Sequence, residues 1–376
     1  MKQIPQFPRL LGAWLGRKSQ SVGSAAAPIG IDFAAHGLNM LQLDAGAEGP
    51  RLRAAVSRPY PAERAALLAN PRALRAFVDQ ALASAPFAGR RVVAALAPSE
   101  VRILPLTIQL SSGQGEAAAV ARAAREQLGE GAAEHVIDYY HVRTADAGPE
   151  KQVLVAAAPH DKVVGYLDSL CGAGLDPVAL DIGPAAIARL LAAMHQDDYE
   201  QSVLLINFGQ ARSYLTVIWG RRLMLDREIE FGEEQLVGKL AQALGLPTDV
   251  ALALLREHGV GGGSTRAGQD GAPDVGRIIR EILYPEFAAL AEELVRTQIY
   301  VASRTRGSTL SRVYLNGSAA RYPEIGARVA DLVNLPVGIL DPLAAFGQAP
   351  GFAAGPELSQ GIALAAGLAL REEDNG

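Results

Sequence analysis

Two hydrophobic rhythms alternate along this chain, one repeating every second residue and one close to every 3.6, and the changes between them predict its elements. Ile29–Phe33, Gly37–Asp44 and Leu52–Val56 read as three strands joined by short turns. Ala62–Ser84 then shifts to helical spacing, with Leu67, Leu68, Leu74, Phe77, Val78 and Leu82 as its apolar positions. Asn70-Pro71 predicts a break there, because proline lacks an amide donor and restricts the residue before it.

The middle of the chain alternates more quickly. Arg91–Ala97 and Val101–Leu110 read as strands, Gly115–Leu128 as an Ala-rich helix, Val136–Val142 and Val153–Ala158 as strands, Asp161–Cys171 as a helix and Pro177–Asp181 as a returning strand. This block has the size of a small α/β insertion. The second half repeats the opening order: strands at Ser202–Phe208, Ser213–Ile218 and Arg222–Glu230, then a helix from Gly232 to Leu244. Two copies of a strand–strand–strand–helix unit are the layout of a bilobed fold that closes on a ligand. Beyond them, Gly259–Asp274 is too rich in Gly, Ser and Asp to supply a core and reads as a mobile loop. A long helix follows over Val275–Ser303, with a kink expected at Pro285, then a strand at Arg312–Leu315, a helix over Tyr322–Leu332, a strand at Val337–Leu340 and an apolar helix over Gly361–Leu370.

The first twenty residues stand apart. Phe7, Leu10, Leu11, Trp14 and Leu15 recur at helical spacing beside Arg9, Arg17 and Lys18, a pattern shared by interfacial membrane helices and by tails packed on a protein body. A Ser-, Gly- and Ala-containing linker, 19–28, separates them from the first strand. No apolar run reaches the roughly 18 to 20 residues that cross a bilayer, and the short run at Leu10–Leu15 leads into Arg17 and Lys18, not into a signal-peptide cleavage region.

Composition narrows the function classes. Against 40 acidic residues stand 35 Lys and Arg, a net charge of -5, so a broad phosphate-neutralising surface for nucleic acid is not expected. The single cysteine, Cys171, rules out an intrachain disulfide and a cysteine-based metal site, and suits a reducing cytoplasm. His141, His160 and His195 are scattered without the spacing of a metal site or catalytic triad. Trp219, beside Gly220, reads as a hairpin tip, and Asp197, Asp198 and Glu200 as a solvated loop.

Three small-residue turns follow buried strands and expose backbone N–H groups of the kind that hold anions: Asp32–Gly37, Asn207–Ala211 and Asn316–Ala320. Each alone is a common feature of α/β proteins, and their order carries the weight. Around them Ile29-Gly30-Ile31-Asp32, Leu38–Leu43, Gly174-Leu175-Asp176-Pro177, Leu205–Gly209, Arg227–Gly232, Val313–Ala319 and Gly361–Arg371 fall in a sequence that resembles the PilM family of type IV pilus assembly proteins along nearly the whole chain after the linker.

This resemblance implies an α/β, actin-like (ribonuclease H-like) bilobed fold with an inserted small α/β domain, as in the cell-division protein FtsA. It divides the chain into a tail at 1–27, the first part of the first lobe at 28–97, the insert at 98–178, and the rest of the first lobe with the second lobe at 179–376. It also implies an ATP and magnesium site at Asp32, Ala34, Ala35, His36, Asn207, Gly209, Gln210, Gly317 and Ser318, with Asp32 toward the metal.

The chain departs from the family pattern at those positions. A hydroxyl-rich turn is replaced by Ala34-Ala35-His36, a lysine by Asn39, the metal-side aspartate by Asn207 and the second glycine of the adenosine turn by Ser318. Losing a carboxylate and two hydroxyl donors weakens a hydrated-cation site even where geometry is kept. A degenerate nucleotide site with no catalytic residue is expected, while His36 and Arg212 offer alternative phosphate contacts. The resemblance implies a cytoplasmic adaptor, peripheral at the inner membrane, that binds the short cytoplasmic N-terminal segment of a PilN-like bitopic protein, with residues 1–20 a further point of contact with the membrane surface. A nucleotide-switched PilM, a mannose-sensitive-pilus or type II secretion L-like homologue, and a small-molecule kinase of the same fold remain as alternatives.

Overall fold

The computed structural model describes residues 27–46, 49–110, 115–142, 150–195, 201–220, 222–261, 275–305, 307–348 and 358–371. The amphipathic segment 1–20 and residues 262–274 of the expected loop lie outside these. The chain divides into two compact units, one formed by 1–196, 221–223 and 341–376, the other by 197–220 and 224–340.

The first unit opens with β1 (Ile29–Phe33), β2 (Gly37–Asp44) and β3 (Arg51–Pro59), followed by β4 (Arg91–Ala95). Three further strands, β5 (Arg102–Gln109), β6 (His135–His141) and β7 (Glu150–Pro159), form a separate antiparallel sheet with β7 in the centre. With β8 (Asp176–Asp181) the chain returns to the first sheet, pairing parallel to β4. The second unit holds β9 (Ser202–Phe208), β10 (Ser213–Trp219), β11 (Arg222–Ile229), β12 (Arg312–Gly317) and β13 (Val337–Ile339) in the order β11-β10-β9-β12-β13. A last two-residue strand, β14 (Gly347–Gln348), completes the six-stranded sheet β14-β3-β2-β1-β4-β8.

The segment 98–178 thus contributes to two sheets. Its first three strands make the small sheet, whereas the helix 160–172 packs Val163, Leu167 and Leu170 into the core of the six-stranded sheet beside Leu74, Phe77 and Val78 of the helix 71–83. The small sheet has its own core, in which Val120 and Ala124 of the helix 116–128 cover Leu106, Ile137, Val153 and Val155.

β1 is apolar on both faces because it is covered on both. Ile29, Ile31 and Phe33 enter the larger core, while Gly30 leaves room for the C-terminal helix 363–369: a Cβ there would lie 2.0 Å from the Ala365 carbonyl oxygen. Gln42, fully buried in β2, has its amide satisfied by donating to the carbonyls of Ala27 (2.7 Å) and Ala88 (2.8 Å) and accepting from Ala88 N–H (2.7 Å). That glutamine ties the entry to β1 to the approach to β4.

The predicted break at Asn70-Pro71 is present, with Asn70 capping the helix 71–83 by accepting from Ala73 N–H at 3.1 Å. Two helices have no counterpart among the expected elements. Gly183–Met194 is apolar around most of its circumference, so it lacks the one-sided period that marks a surface helix, and Thr248–His258 is short and begins after Pro247. The 275–304 helix runs on through Pro285. Gly259 and Gly261, expected in a mobile loop, are seated against Pro323 and Arg280 with positive φ, and Val260 between them is fully buried. Trp219 is buried as well, at 5% exposure, and offers no free ring at a hairpin tip.

Candidate functional site

The first turn lies in the first unit, at the end of β1. Asp32 is the last polar position of that strand; Ala34 is half-buried, and Ala35 and His36 are exposed. The backbone of the turn is held by its own neighbours: Tyr60 O–H donates to the Ala34 carbonyl (2.9 Å), Arg64 Nε to the Phe33 carbonyl (2.9 Å) and Tyr60 N–H to the His36 carbonyl (3.2 Å). Burial pushes the Asp32 carboxyl up from 3.8 to about 6, against the opposing pull of the Asn39 amide, which donates to it at 3.3 Å, and of the Arg64 charge. Ser57 O–H donates in turn to Asn39 Oδ1 at 2.7 Å, fixing the amide so that its N–H side faces Asp32.

The second and third turns come together in the second unit, at the carboxyl ends of the parallel neighbours β9 and β12, where ligands of open α/β sheets commonly bind. Asn207 and Asn316 are register partners, as are Phe208 and Gly317. Asn316 Nδ2 donates to Asn207 Oδ1 at 3.1 Å. Gly317 has φ 91° and approaches so closely that a Cβ would stand 2.1 Å from the Phe208 carbonyl oxygen. Ser318 follows, its N–H donating to the Phe208 carbonyl (2.9 Å) and its hydroxyl reaching the carbonyls of Phe208 and Gly209 at 3.3 Å each. The Ser318 side chain thus forms a clasp between the two turns.

The helix 233–244 begins beside the second turn, in the position from which a helix N-terminus receives an anion. Here the first donors are already engaged: Glu233 N–H donates to the Gly209 carbonyl (3.1 Å) and Glu234 N–H to the Gln210 carbonyl (2.9 Å). The same helical turn carries two carboxylates, Glu233 and Glu234, that repel a phosphate. Gly232 is required for this closure, since a Cβ there would be 2.3 Å from the Gln210 carbonyl oxygen. Arg212, a candidate phosphate contact, is drawn toward Glu228 (2.6 Å) and Glu230 (3.9 Å), with Tyr214 O–H also donating to Glu228 at 2.8 Å.

Asn207, Gly209, Gln210, Gly317 and Ser318 therefore share one place in the second unit, and Asp32, Ala34, Ala35 and His36 another in the first. Asp32 is a single carboxylate already facing an amide donor and an arginine charge, and the Asn207 oxygen accepts from Asn316. Among the described residues no group of three or more His, Cys, Asp or Glu side chains is placed to hold a metal ion.

A further polar hub lies in the first unit. Asp181, at the end of β8, has a fully buried side chain that accepts from Tyr140 O–H (3.0 Å), Ile182 N–H (2.7 Å), Arg189 (2.5 Å) and Arg371 (2.8 Å). Burial alone would raise its carboxyl; the two guanidiniums outweigh it and hold the group below its ordinary value. This hub joins four segments: the small sheet through Tyr140, the six-stranded sheet through Asp181, the helix 183–194 through Arg189 and the end of the C-terminal helix through Arg371. Ile103, Tyr140 and Ala156 of the small sheet pack on Ile182 and Ala185 beside it.

Residues 30–373 match the family model described as type IV pilus assembly protein PilM. Among solved structures, a chain of a PilM–PilN type IV pilus biogenesis complex is similar over 92% of this chain and 98% of its own, with a TM-score of 0.72 and 24% identity. The ethanolamine utilization protein EutJ from Carboxydothermus hydrogenoformans aligns over 96% of this chain and 95% of its own, at 12% identity and a TM-score of 0.49. The mixed α/β architecture, with its strand meanders in both units and its additional three-stranded sheet, is the actin-like fold. No helix among the described residues is long and apolar enough to cross a membrane.

Proposed function

The chain belongs to the PilM family of type IV pilus assembly proteins, and from that premise we propose that it works as a nucleotide-independent adaptor, binding the short cytoplasmic N-terminal segment of a PilN-like inner-membrane protein. The observation that carries the adaptor reading is the Asp181 hub, which fastens the small sheet to the six-stranded sheet of the same unit through Tyr140. A peptide groove beside the small sheet needs such a frame, because a binding surface that is already ordered spends less of its interaction energy on ordering itself. The second half of the proposal rests on the strand-end turns. Asn207 paired to Asn316, the engaged Glu233 and Glu234 amides and the absence of a hydroxyl at 34–36 support it, because they leave fewer donors, and no carboxylate at 207, for a magnesium–triphosphate.

Calorimetric titration tests both halves separately. A synthetic peptide of the partner's cytoplasmic N-terminal segment is expected to give a saturable heat, and ATP with magnesium none. Silence with the peptide removes the adaptor reading. Saturable ATP binding would instead make the chain a nucleotide-switched member of its family.

A further inference from the structure

Arg189, Arg227 and Arg371 are half-buried, and each holds a carboxylate: Arg189 and Arg371 meet Asp181 at 2.5 and 2.8 Å, and Arg227 meets Glu293 at 2.8 Å. Arg328, half-buried on the helix Ile325–Val333, differs. Among the described residues no carboxylate lies within ion-pair distance of it, and its Nε is buried with no hydrogen-bond acceptor, a state that folded proteins seldom leave unexplained. The guanidinium is carried by a ring instead, 5.2 Å from the centroid of Phe287. Arg280 and Tyr284 precede Phe287 at helical spacing on the helix 275–304, so both stand beside that guanidinium. Arg280 is fixed there by its Nε, which donates to the Gly261 carbonyl at 2.7 Å, and by Gly261 itself, where a Cβ would lie 2.6 Å from Arg280 Cβ.

We propose that Arg328, Tyr284 and the charge of Arg280 form a binding site for a phosphate-type oxyanion on the second unit. Two like charges side by side, one of them partly desolvated and short of an acceptor, are costly alone and favourable around an anion. The electrostatics agree: burial and the Arg280 charge both press the Arg328 guanidinium below its ordinary value, while Asp331 and the Tyr284 hydroxyl pull the other way. Asp331 offsets one of the two positive charges, so the pair stays net positive. The donor set selects the class of ligand. A guanidinium fork engages two oxygens, and Tyr284, 65% exposed, offers its O–H to a third. A carboxylate has no third oxygen, and chloride has none at all. The site lies on the helices 275–304 and 325–333 and not on the strand-end turns. A magnesium-bound triphosphate suits it poorly, because the metal already shares the oxygens and the charge that the arginines would meet.

NMR of the full chain with isotope-labelled arginine side chains tests the inference, since the Nε–H signal of Arg328 reports on its own guanidinium. Arg328→Lys identifies that signal by its loss. Inorganic phosphate is then titrated into native protein at constant ionic strength, with neither nucleotide nor magnesium present, so the outcome is independent of how the strand-end turns treat ATP. A saturable shift of the Arg328 signal is expected. Arg280→Gln should weaken phosphate binding about tenfold and Tyr284→Phe about threefold, with circular dichroism unchanged in both, and acetate should bind native protein at least about tenfold more weakly than phosphate. A shift no larger than that given by matched chloride, a phosphate affinity indifferent to Arg280→Gln or to Tyr284→Phe, or acetate binding as well as phosphate would each overturn it.

Discussion

Asn316 donates its side-chain amide to the side-chain carbonyl of Asn207, 3.1 Å away across the parallel strands β12 and β9. The two residues are in register, and each stands where its strand runs out into a small-residue turn. An aspartate at 207 would leave a charge to be met by a hydrated cation; in the asparagine pair one amide donor meets one carbonyl acceptor, and the Asn316 side-chain oxygen stays buried with no hydrogen-bond partner.

That pairing has a direct consequence for stability. Replacing Asn316→Asp removes the donor and sets a carboxylate oxygen against the Asn207 carbonyl in a largely buried position. A cost of about 1–3 kcal/mol is expected, the range for leaving buried polar groups unsatisfied, and urea unfolding at neutral pH measures it.

The Asp181 hub makes a larger demand. In Asp181→Ala, Arg189 and Arg371 lose their shared carboxylate and Tyr140 its acceptor, and breaking a buried pair from one side costs about 3–5 kcal/mol. The folded carboxyl sits below 3.8, so the stability it contributes is present above that value and is lost as the pH falls through the folded one. Native protein and variant should therefore converge in acid, which a pH series of thermal melts would reveal.

Asp226 behaves in the opposite sense. It lies in β11 with Thr216 O–H donating to it at 2.7 Å, and burial pushes its carboxyl up from 3.8 to about 7. A raised acid favours folding below its unfolded value and loses that contribution as the pH rises through about 7. Asp226→Asn keeps an acceptor for Thr216 and removes the charge. It should be more stable than native protein at pH 8 by up to about 4 kcal/mol, since one pKa unit is worth about 1.4 kcal/mol, and the gain should vanish near pH 4. A gain of equal size at both ends would refute the assignment.

Gly30→Ala tests the close approach of β1 and the C-terminal helix. The added Cβ would lie 2.0 Å from the Ala365 carbonyl oxygen and 2.5 Å from Ala369 N, both main-chain atoms of one helix that cannot swing aside. A loss of about 3 kcal/mol, at the upper end of overpacking penalties, is expected in chemical denaturation. An unchanged midpoint would mean that the helix 363–369 is free to move outward.

By itself the sequence determined the order and kind of nearly every element, because strand alternation, the Asn70-Pro71 cap and the small-residue turns are local signals set by backbone stereochemistry. It also located the three turns that follow β1, β9 and β12. Helix 183–194 was illegible for a physical reason: it is apolar around most of its surface, so its pattern holds no period to detect; helix 248–258 was missed as well. The tertiary structure alone decided which distant residues meet. Asp181 ends a strand that the pattern located, but nothing local names its partners; burial brings Arg189, Arg371 and Tyr140 to it from across the chain. The same holds for the Asn207–Asn316 pair, 109 residues apart, and for Gly30, whose role is visible only once a helix from the far end of the sequence packs on it. Pattern along a chain records which face of an element is buried; the partner that buries it is fixed by packing.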